Sequence, residues 1–266
     1  MNNRRSIPWG KWFTGAFTVL VILFLYLPVG VAIAFSFSDS QVISFPIEHW
    51  TTKWYRVVLF EDRGSRLRDP LVSSLTIASI ATLSACVIGT LTAFAVQRYR
   101  FFGRSFYRVA IAIPLLLPGV VTGIALLVYF ILIGIGPGFA AVLIGHITFC
   151  VPVVFGSVAS RVARLPRSME EAAADLGANL PQRLVRVVFP SSFTSVLSGA
   201  LLAFTLSLDE IVVTYFLSRG FTTLPVAIYT GLRLHFSPDN LAMVSMIITA
   251  SALLIIVSQW IVRERK

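Results

Sequence analysis

The sequence predicts an all-α, polytopic membrane protein with six transmembrane helices. Of its 266 residues 56% are hydrophobic and only 13% charged, with a mean hydropathy of +0.84, far from the composition of a soluble domain. Six apolar stretches each reach the roughly 20 residues a helix needs to cross the hydrocarbon core. They run over about Phe13–Phe35, Leu71–Val96, Val109–Ile133, Phe139–Ser160, Ser191–Phe216 and Leu241–Val262. The third observation is where the basic residues fall. Fifteen Lys and Arg lie at the two ends and in the second–third and fourth–fifth connections, against seven in the other three connections. The positive-inside rule then puts both termini, and the connection from 161 to 190, in the cytoplasm.

The first stretch follows Arg4, Arg5 and Lys11 and contains Ala32-Ile33-Ala34, which imitates a signal peptide and its cleavage site. Its apolar run is too long for that, and it reads as an uncleaved anchor. Residues 1–68 therefore form an N-terminal arm: a cytoplasmic tail, the first span and a periplasmic loop. In that loop Trp50, Trp54 and Tyr55 sit among balanced charges, as aromatics at headgroup level do. Residues 69–258 form one membrane core, with helices over about 71–96, 109–133, 139–160, 191–216 and 241–262 and a cytoplasmic loop over 161–190. No low-complexity linker and no internal repeat interrupts it.

The third span carries Pro114 and Pro118 followed by Gly119 and Gly123. Membrane helices tolerate such residues where neighbours satisfy the freed backbone groups. A kinked helix packed closely through its glycines and a hinge beside a solute path are both consistent with them. In the fourth span His146 has no Asp, Glu or Cys at ligand spacing, so an interhelical hydrogen bond is expected of it rather than a metal. Cys86 and Cys150 lie in apolar runs and read as packing residues.

The fifth span holds two adjacent carboxylates, Asp209 and Glu210, in a polar stripe with Thr205, Ser207 and Thr214. An acidic residue at a bilayer centre costs about 2.5–3.5 kcal/mol even on the lenient insertion scale, so such residues face a water-filled path or a partner. Neighbours on a helix point about 100° apart, and the two need not share a role. Three readings stay open: a path for a cationic or polyol solute, a structural pair with Arg or backbone donors, and the proton relay of an ATP-independent carrier or channel.

Absent chemistry narrows the function. No Gly-x-x-x-x-Gly-Lys-[Ser/Thr] phosphate cradle is present, and the only lysines are Lys11, Lys53 and Lys266. No metalloprotease, hydrolase or redox motif occurs either, so no covalent catalysis is expected. The net charge of +10 reflects arginines beside apolar runs, which set topology, and not a nucleic-acid surface.

The fourth–fifth connection contains the most organised polar stretch. Ser168 with Glu171 three residues on reads as a capping box, Ala172 and Ala173 favour helix, and Gly177 is the expected C′ residue. Pro181 is expected to open a second short helix at its first position, and Pro190 to mark the return to the membrane. The order Glu171-Ala172-Ala173, Gly177, Val187, Phe189-Pro190 strongly resembles the EAA loop of permease subunits in binding-protein-dependent ABC importers. Val187 and Phe189 replace the Ile and Leu that the family prefers. Over Leu206–Asp239, including Thr223-Leu224-Pro225 and Phe236-Ser237-Pro238, the chain looks like the second permease subunit of spermidine/putrescine-type importers.

The resemblance implies a type I importer permease fold. It implies a coupling loop at Glu171, Ala172, Ala173, Asp175, Gly177 and Pro190, capped by Ser168. It also implies the partners: a second permease subunit, a cytosolic ATPase dimer carrying ATP and Mg, and a periplasmic solute-binding protein. No cofactor is expected on this chain itself.

Overall fold

The computed structural model of the protein describes residues 8–40, 45–60, 65–234 and 238–249, whose regular elements are helices, with one isolated antiparallel bridge between Ser38 and Trp50. The helices are α1 (Pro8–Phe35), α2 (Lys53–Phe60), α3 (Ser65–Arg98), α4 (Arg104–Leu116), α5 (Gly119–Leu132), α6 (Phe139–Val162), α7 (Ser168–Asp175), α8 (Leu180–Arg183), α9 (Phe189–Leu208), α10 (Val212–Leu217) and α11 (Leu224–Leu234). A π-helical turn, Leu184–Val188, links α8 to α9, and residues 238–249 are helical. Among the described residues, four helical stretches are long and apolar enough to span a membrane: Gly10–Phe35, Arg68–Arg98, Phe139–Val162 and Leu180–Leu208. A fifth candidate is the pair α4 and α5, bent by 108°.

Three of the six expected spans need restating. Val109–Ile133 is not one kinked helix. Pro118 has no N–H and forces the preceding Leu117 out of the helical region, to φ −80 and ψ 142, so α4 stops and α5 restarts at a steep angle. Ser191–Phe216 is not continuous either: α9 ends at Leu208 and α10 begins at Val212. The last span, Leu241–Val262, falls largely outside the described residues.

Contacts divide the chain into two compact units, Met1–Leu67 with Ile228–Lys266, and Arg68–Ala227. In the first unit α1 displays Trp12, Phe13, Phe17, Leu20 and Phe24 outward, which is stable only with lipid or another apolar partner around it. The chain after it is held by polar bonds. Ser36 Oγ lies 2.6 Å from Tyr55 Oη, which lies 2.7 Å from Ser245 Oγ. Trp54 is buried and donates its indole N–H to the Ser38 carbonyl at 2.7 Å, so it is not the headgroup aromatic its sequence context suggests. Trp50 is exposed.

The second unit is built on α6, which contributes Val142, Phe149, Cys150, Val154, Val158 and Val162 to the buried core. Glycines let its neighbours reach it. A Cβ on Gly89 of α3 would stand 3.0 Å from the Phe155 backbone nitrogen, and one on Gly199 of α9 3.1 Å from Val154 Cα. Helices in lipid gain little from burying apolar surface against each other, so close backbone approach through small residues supplies dispersion contact instead. Cys150 donates to the Ala203 carbonyl at 3.4 Å, as a packing residue between α6 and α9.

Candidate functional site

The connection from α6 to α9 is where the sequence placed a capped helix, and α7 occupies Ser168–Asp175 as expected. Its start differs from the expectation. The N-cap is Arg167, with no side-chain cap bond, and the Arg167 carbonyl accepts from the N–H of Glu170 at 2.9 Å and of Glu171 at 3.0 Å. Ser168 lies one residue inside the helix, so its hydroxyl is not the cap and Glu171 is not its reciprocal partner. The true capping box is one helix later. Gln182 N–H donates to Asn179 Oδ1 at 3.0 Å and Asn179 N–H to Gln182 Oε1 at 2.9 Å, with Pro181 at the second position of α8 and not the first. An Asn-x-x-Gln pattern was readable there.

The end of α7 follows the sequence. Gly177 has φ +83, its N–H donates to the Ala174 carbonyl at 2.8 Å, and the Ala178 N–H to the Ala173 carbonyl at 2.9 Å. This is a Schellman closure, which needs the left-handed conformation at C′. Pro190 lies in the first turn of α9. It has no N–H for the carbonyl four residues back, and the chain before it widens into the π turn, where the Phe189 N–H bonds to the Leu184 carbonyl.

What anchors α7 is Glu170, not the neighbouring Glu171. Arg98, the last residue of α3, donates Nε to Glu170 Oε1 at 2.6 Å and Nη2 to the Leu165 carbonyl at 3.2 Å; the two side chains are 9% and 13% exposed. A second strut is Arg161 at the end of α6, whose Nε donates to the Ser191 carbonyl at 3.0 Å. Both arginines entered the sequence reading only as topology charges. Glu171, Ala172, Asp175 and Gly177 are exposed, Ala173 is partly so, and Met169 and Leu176 stand out as apolar side chains, Leu176 at 89% exposure.

The carboxylates of the fifth stretch are not in a helix interior. Asp209 caps the end of α9, and its N–H reaches the Thr205 carbonyl at 3.1 Å. Glu210 lies in the break, and its Oε1 accepts the Val213 N–H at 2.8 Å at the start of α10. The polar stripe splits accordingly. Ser207, Glu210 and Thr214 gather around His146: its Nδ1 is 2.7 Å from Ser207 Oγ, its Nε2 is 2.8 Å from Thr214 Oγ1, and Thr214 donates to the Glu210 carbonyl at 3.1 Å. Thr205 is exposed and bonds back to the Leu201 carbonyl of its own helix. Asp209 is exposed, with no side-chain partner among the described residues. The interhelical bond expected of His146 is present, twice. No group of three or more potential metal ligands occurs among the described residues.

Small residues seat α10. A Cβ on Gly123 of α5 would stand 2.8 Å from Phe216 Cδ2, and one on Gly145 of α6 2.9 Å from Leu217 Cδ1. The Gly138 N–H closes the far end on the Leu217 carbonyl at 2.8 Å. Gly123, downstream of Pro118, therefore serves close packing of the short helix that follows the carboxylates.

A family model described as the binding-protein-dependent transport system inner membrane component matches residues 85–263. The chain belongs to this family. As a binding-protein-dependent permease it is a bacterial inner-membrane, multi-pass protein. It is a transport subunit of an ABC importer and not an enzyme, working with a periplasmic binding protein and a separate ATPase. An ATP-independent carrier, the alternative that Asp209 and Glu210 left open, gives way to this.

The permease is 37% identical over 217 residues to the spermidine/putrescine transport system permease protein PotC of Escherichia coli (strain K12), covering 81% of each chain. It is 36% identical over 209 residues to the putrescine transport system permease protein PotI of the same organism, covering 76% of this chain and 73% of that one. Its fold matches that of a bacterial ABC transporter involved in the import of the acidic polysaccharide alginate, with a TM-score of 0.74 at 17% identity, covering 97% of this chain and 98% of the other.

Proposed function

We propose that this permease imports a small polycationic solute of the putrescine/spermidine class, and that Asp209 lines its path. The observation that carries this is the division of labour between adjacent carboxylates. Glu210 is consumed by the backbone of α10, whereas Asp209 stands exposed at a helix break with no side-chain partner among the described residues. A carboxylate left unpaired in a membrane segment is stable where water or a cation reaches it. The relatives named for spermidine and putrescine, at 36–37% identity, favour ammonium groups as those cations. Thr205, exposed one turn before Asp209, belongs to the same wall in this reading, while Ser207, Glu210 and Thr214 shape it from behind.

The rest of the assembly is proposed on the same basis. Residues 69–258 form the translocating core of a type I importer, with six spans in all and both termini cytoplasmic. The chain pairs with a second, different permease subunit. The loop 161–190 couples it to an ATPase dimer: α7 lies in a groove of the ATPase, where Met169 and Leu176, seven residues apart on one helical face, lose their exposure. Closure of the ATPase dimer then moves α7, and with it the ends of α3 and α6, between two packings.

The test is solute uptake by the full transporter in proteoliposomes. Asp209→Asn is expected to lower maximal uptake at least tenfold while the complex still purifies intact, the effect of losing one charged contact worth about 1.5–3 kcal/mol. Native uptake with Asn at 209 overturns the path assignment, and loss of assembly makes Asp209 structural.

A further inference from the structure

We propose that His146 is the positioning residue of the helix break between α9 and α10, held as the neutral imidazole with its proton on Nε2. Through Ser207 and Thr214 it sets where the Asp209 carboxylate stands. The transport consequence rests on the path reading of Asp209; the hydrogen-bond assignment does not.

The break is not made by a proline or a glycine. Leu206-Ser207-Leu208-Asp209-Glu210-Ile211-Val212-Val213-Thr214 contains neither Pro nor Gly, the residues behind nearly all sharp helix interruptions. Polar groups must therefore replace what the helix gives up, and in a membrane segment each missing backbone bond is costly. The Val213 N–H is taken by the Glu210 carboxylate and the Glu210 carbonyl by the Thr214 hydroxyl. His146, on a different helix and only 1% exposed, then ties the residue before the break to the residue after it.

The tautomer follows from counting protons. Thr214 has one hydroxyl hydrogen, and it goes to the Glu210 carbonyl. Toward His146 the Thr214 oxygen can only accept, so Nε2 carries a hydrogen. Ser207 then donates to an unprotonated Nδ1 at 2.7 Å. The chain Ser207 O–H to Nδ1, Nε2–H to Thr214, Thr214 O–H to the Glu210 carbonyl uses every donor once. Moving the proton to Nδ1 would turn the Thr214 hydroxyl toward the ring and strip the break of a carbonyl partner. A doubly protonated ring would bury a cation with no carboxylate bonded to it, since Glu210 Oε1 is bonded to the Val213 N–H and Asp209 is exposed. His146 thus acts as a clamp on a discontinuity that the α9–α10 segment cannot hold by itself.

The experiment uses the assembled transporter in lipid nanodiscs with nitrogen-15 histidine. The chain has three histidines, His49, His146 and His235, and the signal lost in His146→Gln identifies the one in question. At neutral pH its Nε2 is expected protonated and its Nδ1 bare; a proton on Nδ1, alone or as well, overturns the assignment. In proteoliposomes His146→Leu is expected to lower maximal putrescine uptake about tenfold with KM unchanged, because delivery is intact and only the path is misplaced. His146→Gln, whose amide keeps one donor and one acceptor, is expected to recover most of it.

Native uptake by the Leu variant overturns the proposal, as does a Gln variant that assembles yet fails as completely as Leu. Asp209→Asn separates the two readings: native uptake there, beside a tenfold loss in His146→Leu, removes Asp209 from the path and leaves the clamp supported.

Discussion

Removing the Arg98–Glu170 pair should free α7 without unfolding the membrane core. The N–O distance is 2.6 Å and the side chains are 9% and 13% exposed, so the pair is neither a solvated surface bridge, typically worth about 0.2–1 kcal/mol, nor a fully desolvated one, whose breakage costs about 3–5 kcal/mol. A charge-assisted hydrogen bond in between contributes about 2 kcal/mol. Arg98→Ala also deletes the bond to the Leu165 carbonyl, whereas Glu170→Gln keeps an acceptor for Nε and loses only the charge. The arginine variant should therefore be the more severe. A loss of about 2 kcal/mol in docking multiplies the undocked population about thirtyfold.

Hydrogen–deuterium exchange of the amides over Ala172–Leu176 reads this directly, because local opening is reported against the stability of that segment alone. Exchange should accelerate at least tenfold in Arg98→Ala and less in Glu170→Gln, with α6 amides unchanged. Solute-stimulated ATPase activity of the full complex should fall in the same order. Unaltered exchange in both variants would refute the claim that this pair holds the loop, and acceleration throughout α6 would show a general loss of packing instead.

Gly177→Val places a β-branched side chain at φ +83 with no atom within 4 Å of its Cβ, so the cost is conformational, about 1–2 kcal/mol or more, and falls on the Schellman closure. Membrane insertion should survive while uptake and ATPase stimulation are lost together; normal uptake would remove the loop from coupling. Gly123→Ala drives a Cβ to 2.8 Å from Phe216 Cδ2 and 3.4 Å from Val213 Cα, and overpacking of that kind costs about 1–3 kcal/mol. The melting temperature of the purified complex should drop, and an unchanged value would mean that α10 shifts freely.

In the other unit, the hydrogen bond and charge of Lys53 at 2.6 Å hold the Asp39 carboxyl below its ordinary 3.8. A depressed native value means that the contribution is present above the unfolded value and lost as pH falls through the native one. A carboxyl carbon-13 titration should show Asp39 more than half ionised at pH 3.8, and Lys53→Met should raise its midpoint.

Much of this permease was legible because lipid makes simple demands. A span must be long, apolar and internally hydrogen-bonded, so α1, α3 and α6 could be read from runs of residues. Gly177 was legible for a local reason: a helix end that closes on itself needs a residue free to take positive φ, and that requirement lies within six residues of chain. The break at Pro118 was half legible, since proline marks where a helix can stop but not the 108° at which it restarts.

What the sequence could not place was every feature decided by residues far apart. Ser168 and Glu171 fit a capping pattern, yet the chain entering α7 from Pro166 and Arg167 already satisfied those amides with backbone carbonyls. Glu170 and Glu171 are indistinguishable as neighbours in sequence; Arg98, 72 residues away, selects one. The polar stripe from Thr205 to Thr214 assumed a continuous helix, which nothing in that segment contradicts. His146, 61 and 68 residues from its two partners, lies at the break. Local propensity and lipid solvation set which segments become helices, whereas tertiary hydrogen bonds, strong where water is excluded, decide where those helices are interrupted and which charges remain free.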